Sequence, residues 1–214
     1  MATFDTRKKD FDLVVVLEAF QRCRQSDDTL MLREYLMAFT ELCRFFKLTG
    51  ALFGFVARDL EDKIRMLNEH LTADEVHYIS VQSMIQYEVD HDLTKVIKGN
   101  LKSGSRTLLR LHRALEFILA FMSRLRTGDE NEKSSVIASE IYNQTLARFN
   151  IWILRKMAGM AMYMLPSKKN LIDVMCKQDY ESVMRTLGEV VSSGQPLYDI
   201  TQKVYEDNDI LDLP

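Results

Sequence analysis

A chain of 214 residues with 47% hydrophobic and 28% charged residues is long enough to bury a substantial core and has the composition of an ordinary globular protein. A formal net charge of -3 excludes a general nucleic-acid binder, so any basic site has to be local. Only 8 Gly and 3 Pro leave too little punctuation for a β-rich fold, which makes the expected class all-α and the expected organisation a single domain over residues 1–214, with 1–10 a flexible N-terminus.

Cys23, Cys43 and Cys176 are odd in number and widely spaced, without a C-x-x-C pair, which fits reduced thiols in a cytosolic protein rather than disulfides or a zinc site. Met1 to Asp12 lacks the apolar region of a secretory signal. The most apolar run, Ile151 to Leu165, is interrupted by Arg155 and Lys156 and is too short and too charged to span a bilayer.

Apolar spacing predicts a first helix over Phe11–Cys23 and a second over about Leu30–Phe46, stopped by Thr49-Gly50. A third is expected from Ala51 to Asn68. On a wheel of about 100° per residue, Arg58, Glu61, Asp62, Arg65 and Asn68 share the wet arc, while Phe53, Val56, Leu60, Ile64 and Leu67 lie opposite. Asp59 and Lys63 fall in the apolar flank widened by Leu52, Phe55 and Met66. A carboxylate taken out of water needs a partner, so the two are either an i, i+4 ion pair at the core edge or part of a binding site. Thr72-Ala73-Asp74-Glu75 has the form of a capping box and predicts a fourth helix running to Val89. His70, His77, His91 and His112 show no metal-binding spacing. Asp90 to Gly104 is polar and basic, a short helix or loop.

The fifth helix, Ser105 to Arg126, buries Leu108, Leu111, Leu115, Ile118, Leu119 and Met122 and opens on three arginines within eight positions. Arg106, Arg110 and Arg113 follow i, i+4, i+7, so they share one face without an acid among them. Such a stripe is either a solvated face or a site for an anion. Leu109 and Phe117 share that side, so it is not simply wet. A sixth helix is expected from Ser134 to Phe149. Trp152 follows beside Arg155 and Lys156, where it suits either a core position or a lipid interface, because indole joins an apolar body to a polar N–H. Met157, Met160, Met162 and Met164 line a helix ending at Leu165-Pro166, and three short helices over Leu171–Lys177, Asp179–Ser192 and Leu197–Tyr205 complete the pattern. No nucleophile–histidine arrangement is readable, so no catalytic residue, cofactor or metal is assigned and an enzyme is not expected.

Asp59-x-x-x-Lys63, Arg-Thr-Leu-Leu-Arg-Leu-His-Arg-Ala-Leu within Ser103 to Leu115, Trp152-x-x-Arg155 and Leu165-Pro166, in this order and at these separations, resemble the glycolipid transfer protein superfamily, and within it the branch that carries ceramide-1-phosphate. The resemblance runs from about Phe11 to Pro214. It implies a two-layer sandwich of roughly eight helices that holds lipid chains in an apolar cavity between the layers. It further implies that Asp59 accepts from the ceramide amide N–H, that Lys63, Arg106 and Arg110 hold the phosphate, and that Trp152 docks on the membrane. Sugar-carrying members have tryptophan at the position of Arg110, so arginine points to an anionic headgroup, for which a guanidinium fork is suited. Asn150 stands where the family normally has a histidine that donates to the ceramide carbonyl; its amide can still donate. The implied protein is a monomeric, cytoplasmic carrier, peripheral on membranes, that transfers ceramide-1-phosphate. The alternative is a lipid sensor or an all-α adaptor whose basic stripe binds an acidic protein.

Overall fold

The computed structural model describes residues 11–49, 53–98, 101–129, 132–150, 152–165, 167–175 and 180–214, with only the main chain described at 98, 152–154, 157 and 173–175. Nine α-helices are present among the described residues: α1 Leu13–Cys23, α2 Leu32–Leu48, α3 Phe53–Ala73, α4 Val81–Asp90, α5 Gly104–Thr127, α6 Ser134–Gln144, α7 Trp152–Tyr163, α8 Lys168–Met175 and α9 Tyr180–Asp207. A minimal antiparallel hairpin, β1 Ile97–Lys98 and β2 Leu101–Lys102, precedes α5. The all-α expectation holds, in two packed layers. In one layer α1, α2 and α3 lie side by side; in the other α5 packs against α4, α6 and α9. The layers meet where α3 packs on α5 and α1 on α9.

Local chemistry accounts for the helix starts. Asp12 caps α1, its side chain accepting from the Val14 N–H at 3.0 Å, while its own N–H donates to Glu41 Oε1 of α2 at 2.7 Å. The fourth helix departs from expectation. Thr72 does not cap it; α3 continues to Ala73, and the Thr72 hydroxyl donates back to the Asn68 carbonyl. Residues 75–77 form a turn instead, closed by the Tyr78 N–H on the Asp74 carbonyl, and Ser80 is held in a bridge to Met31, flanked by Leu32 N–H donating to Ile79 O and Val81 N–H to Leu30 O. Ser80 then forms the capping box of α4 with Ser83. The sixth helix is likewise shorter than expected: α6 stops at Gln144, and a 3₁₀ turn over Ala147–Phe149 follows.

The last part of the chain forms two helices rather than three. The gap expected between Ser192 and Leu197 is absent, and Gly194 and Pro196 both lie inside the long α9. Gly194 is the reason the packing prevails over local preference. A Cβ there would lie 2.6 Å from Leu119 Cδ2 and 2.9 Å from Phe20 Cε2, so glycine alone allows α9 to sit this close to α5 and α1. No helix among the described residues is long and apolar enough to cross a membrane. Cys23 and Cys43 are free and buried, and burial pushes both thiols up to about 12; Cys176 lies outside the described residues.

Candidate lipid headgroup site

The arginine helix is anchored at its first turn by a residue that the periodicity argument did not single out. Glu88 of α4 is buried and accepts from the Gly104 N–H at 2.6 Å, the Ser105 N–H at 2.8 Å and the Tyr78 hydroxyl at 2.9 Å. Ser103 accepts from the Arg106 N–H, so three of the otherwise orphaned donors of α5 are satisfied. Burial, and next the charge of Glu88, raises the Tyr78 phenol above its usual range and keeps it a donor. A readable signal existed: Glu88 falls on the stripe Val81, Met84, Ile85, Glu88, all buried, where a carboxylate needs partners.

The α3 and α5 helices run antiparallel. His70, near the end of α3, bonds the Lys102 carbonyl just before α5, and at the other end Phe53 shares an apolar seam with Phe117 and Phe121. Stepping back from His70 to Lys63 and forward from Lys102 to Arg110 covers similar axial distances, roughly 10 Å at about 1.5 Å per residue. Lys63 therefore comes level with Arg110 on the neighbouring helix, and Asp59 with Arg113.

Lys63 donates to Asp59 Oδ1 at 2.6 Å, the i, i+4 pair that the spacing suggested. Its placement corrects the wheel. The Asp59 side chain is 69% exposed, and Phe55 and Val56 on the same flank are exposed too, whereas Lys63 is only 19% exposed. Phe55 and Val56 stay exposed among the described residues, so the apolar character of that flank does not translate into burial. Asp59 presents its carboxylate to the surface with one cation already beside it.

The three arginines, equivalent in spacing, have different partners. Arg106 donates through Nε to the Pro214 main-chain oxygen at 2.7 Å, which leaves the terminal fork of its guanidinium pointing away from that bond. Arg113 is 9% exposed, donates through Nη2 to the Leu211 carbonyl at 2.7 Å and lies over the Phe149 ring, 3.9 Å from its centroid. Burial first and the Arg110 charge next lower its pKa to about 10. Arg110 makes no hydrogen bond or ion pair with any described residue. Asn150, just past the 3₁₀ turn, donates from Nδ2 to the Tyr142 hydroxyl at 2.8 Å, and Phe149 beside it connects this position to Arg113. The Trp152 side chain lies outside the described residues, although its main chain opens α7.

Beneath this surface the seam between the layers is lined by Leu42, Phe45, Phe46, Phe53, Phe117 and Phe121 among others and encloses a cavity of about 20 Å³. This face carries Arg106 and Arg110 on α5 and the Lys63–Asp59 pair on α3, and the seam between the layers is lined almost wholly by apolar side chains. No group of three or more His, Cys, Asp or Glu side chains with metal-holding geometry occurs among the described residues.

The sequence and the fold both match known proteins. The family model described as glycolipid transfer protein matches residues 30–177. Ceramide-1-phosphate transfer protein of rat is 37% identical over 216 residues, covering 98% of this chain and 100% of the relative, and that of zebrafish is 37% identical over 207 residues, covering 95% and 98%. Among solved structures, the apo form of mouse ceramide-1-phosphate transfer protein superposes with a TM-score of 0.90 at 36% identity, covering 95% of this chain and 100% of that one. The human protein in complex with 12:0 ceramide-1-phosphate superposes with a TM-score of 0.88 at 32% identity, covering 95% and 100%.

Proposed function

The chain belongs to the glycolipid transfer protein family, and on that premise we propose that it carries a phosphorylated sphingolipid, ceramide-1-phosphate, between membranes without vesicles. The observation that carries the reading is Arg110: a guanidinium one turn from Arg106 with no hydrogen-bond or ion-pair partner among the described residues, where an anionic headgroup would complete the charge balance. Lys63, Arg106 and Arg110 hold the phosphate. Asp59 accepts from the amide N–H, and Asn150, oriented by Tyr142, donates to the amide carbonyl. The whole of 1–214 acts as one lipid-transfer domain and works as a monomer.

The physical task is to move an apolar chain through water. About 16 methylenes at ~0.8 kcal/mol each amount to some 13 kcal/mol of unfavourable hydration, which a lipid leaving a bilayer unaided has to meet. The seam between the layers offers a substitute environment, and no bond is made or broken. Docking on the membrane is assigned to the helix that Trp152 opens. Exposed Met160, Tyr163 and Met164 on and just after α7, with Arg155 and Lys156 also exposed, support that assignment, since apolar groups flanked by cations favour an anionic lipid surface. The protein then works peripherally on the cytoplasmic faces of membranes. A lipid-free adaptor role is disfavoured by the near-complete alignment with the transfer proteins.

The test is transfer of ceramide-1-phosphate between donor and acceptor vesicles by the purified protein and by Asp59→Val. The wild type accelerates transfer well above buffer. The variant, altered at a largely exposed position, keeps wild-type helicity and loses transfer. Transfer at the buffer rate by the wild type sinks the function; transfer surviving in the variant sinks the role of Asp59.

A further inference from the structure

A second cavity lies on the other flank of α5. Its volume is about 240 Å³, and its polar lining comes from three elements: His112, Arg113 and Glu116 of α5, Arg148 of the 3₁₀ turn, and Tyr198 and Gln202 of α9, with apolar walls between them. None of Asp59, Lys63, Arg106, Arg110 or Asn150 lines it. On a wheel of about 100° per residue, the α5 positions that face it, Leu109, His112 and Glu116, lie roughly 80–140° away from the Arg106 and Arg110 face. Arg113 stands at the boundary, held by the Leu211 carbonyl.

We propose that this cleft is a second oxyanion-binding site, separate from the lipid headgroup clamp, that takes a compact phosphate-type anion. Charge is the first argument. Arg113 is buried to 9% exposure with a backbone carbonyl and an aromatic ring as partners and no carboxylate among the described residues, although buried charges are as a rule paired. Arg148 adds a second cation over the same Phe149 ring, 4.7 Å from its centroid. Among the described lining residues Glu116 is the only carboxylate, and it is already bonded to Arg148 at 3.3 Å, so these groups leave one positive charge in excess.

Free donors are the second argument. Arg113 uses Nη2 on Leu211, which leaves Nε and Nη1 without a hydrogen-bond partner among the described residues. The Tyr198 hydroxyl has no hydrogen-bond partner among the described residues, and burial raises its pKa, so it stays a donor. Gln202 and His112 are not available, because they bond each other at 2.7 Å and Gln202 also holds Glu206. What remains is a set of N–H and O–H donors converging from three elements on one cleft, with guanidinium forks suited to the planar edges of a phosphate. Arg148 is 60% exposed in its side chain, so it can swing onto an incoming anion without disturbing the core.

The experiment titrates the full chain with inorganic phosphate at constant ionic strength, following arginine side-chain resonances by NMR and heat by calorimetry, in wild type, Arg110→Gln, Arg148→Ala and Tyr198→Phe. Wild type shows two phosphate sites, of which Arg110→Gln loses the headgroup clamp and keeps the cleft at unchanged affinity, while Arg148→Ala weakens binding in the cleft about tenfold or more, as expected for one charge-assisted bond. Tyr198→Phe weakens it several-fold. Non-saturable binding, loss of cleft binding in Arg110→Gln, or wild-type cleft affinity in Arg148→Ala each overturns the proposal. Because Arg148 is exposed, its variant folds, and thermal melting verifies this. A second arm asks where the anion comes from, using phosphatidylcholine vesicles with and without phosphatidic acid. Retention that depends on phosphatidic acid and is lost in Arg148→Ala supports a membrane headgroup as the source. Retention indifferent to Arg148, alongside phosphate binding that requires it, supports a soluble anion. The inference does not rest on lipid transfer, and ceramide-1-phosphate transfer measured in parallel separates failure of one from failure of the other.

Discussion

Arg110→Gln should separate stability from function in opposite directions. Arg110 makes no hydrogen bond or ion pair with any described residue, so its removal deletes no native contact of that kind. It does sit one turn from Arg106 and three residues from Arg113, whose proton affinity its charge lowers. Each such like-charge pair on a helix costs about 0.2–0.5 kcal/mol, and glutamine has nearly the helix propensity of arginine, so the variant should gain about 0.4–1 kcal/mol of stability. Phosphate binding changes the other way. Losing a forked, charge-assisted contact at about 1.5–3 kcal/mol per bond predicts an affinity for ceramide-1-phosphate lower by roughly 100-fold. Urea denaturation measures the first quantity and lipid transfer between vesicles the second. A variant destabilised by more than about 1 kcal/mol, or one that transfers at the wild-type rate, refutes the reasoning.

Gly194→Ala should destabilise by about 1–3 kcal/mol in chemical denaturation, because its Cβ would lie 2.6 Å from Leu119 Cδ2 and 2.9 Å from Phe20 Cε2; an unchanged midpoint would show that α9 stands off more loosely. Glu88→Gln should cost about 3 kcal/mol, since an amide offers one acceptor oxygen where Gly104 N–H, Ser105 N–H and the Tyr78 hydroxyl need two; a melting temperature equal to wild type would refute the anchoring of α5. His112 sets a pH dependence. Burial, followed by the nearby charge of Arg113, holds it to about 4 against the ordinary 6.5, so between those values the unfolded chain binds the extra proton. Stability is therefore full above about 6.5 and falls as pH drops towards 4, by at most about 3 kcal/mol at 1.36 kcal/mol per pKa unit. Denaturation curves across that window should be flatter for His112→Gln, and an unaltered slope would assign the effect to other groups.

What could be read in the residues was what depends on local spacing. The i, i+4, i+7 arginines and the Asp59–Lys63 pair are fixed by helix geometry, and both occur as spaced. The division of labour among the arginines was not readable. It depends on Leu211 and Pro214, which bond Arg113 and Arg106 across separations of 98 and 108 residues. The exposure of Asp59 was misjudged for a related reason: a wheel reports which side of a helix is apolar, while burial needs a neighbour, and Phe55 and Val56 remain exposed among the described residues. The end of α3 and the start of α4 were displaced because an extended bridge from Met31 to Ser80, remote in sequence, competes with the helix that Thr72 would open. Glu88 lies between these cases, since its place on a buried stripe is local and its partners at the start of α5 are not.

The closeness of the two layers bears on how a chain could enter. A cavity of about 20 Å³ is of the order of one water, far below what an acyl chain occupies, so the layers have to part along Phe45, Phe46, Phe53, Phe117 and Phe121 before anything slides between them. Parting exposes those rings, and at roughly 25 cal/mol per Å² of apolar surface, exposing them to water would be prohibitive for several aromatics at once. Exposing them to a lipid chain instead exchanges one apolar contact for another and comes close to neutral. Opening is therefore expected where lipid, and not water, meets the seam, which is at a membrane surface. Leu48, Phe55 and Val56 next to the seam are already exposed and give such a chain a first apolar foothold beside Asp59. The exposed flank that a sequence wheel would have buried is, in this mechanism, the approach to the seam.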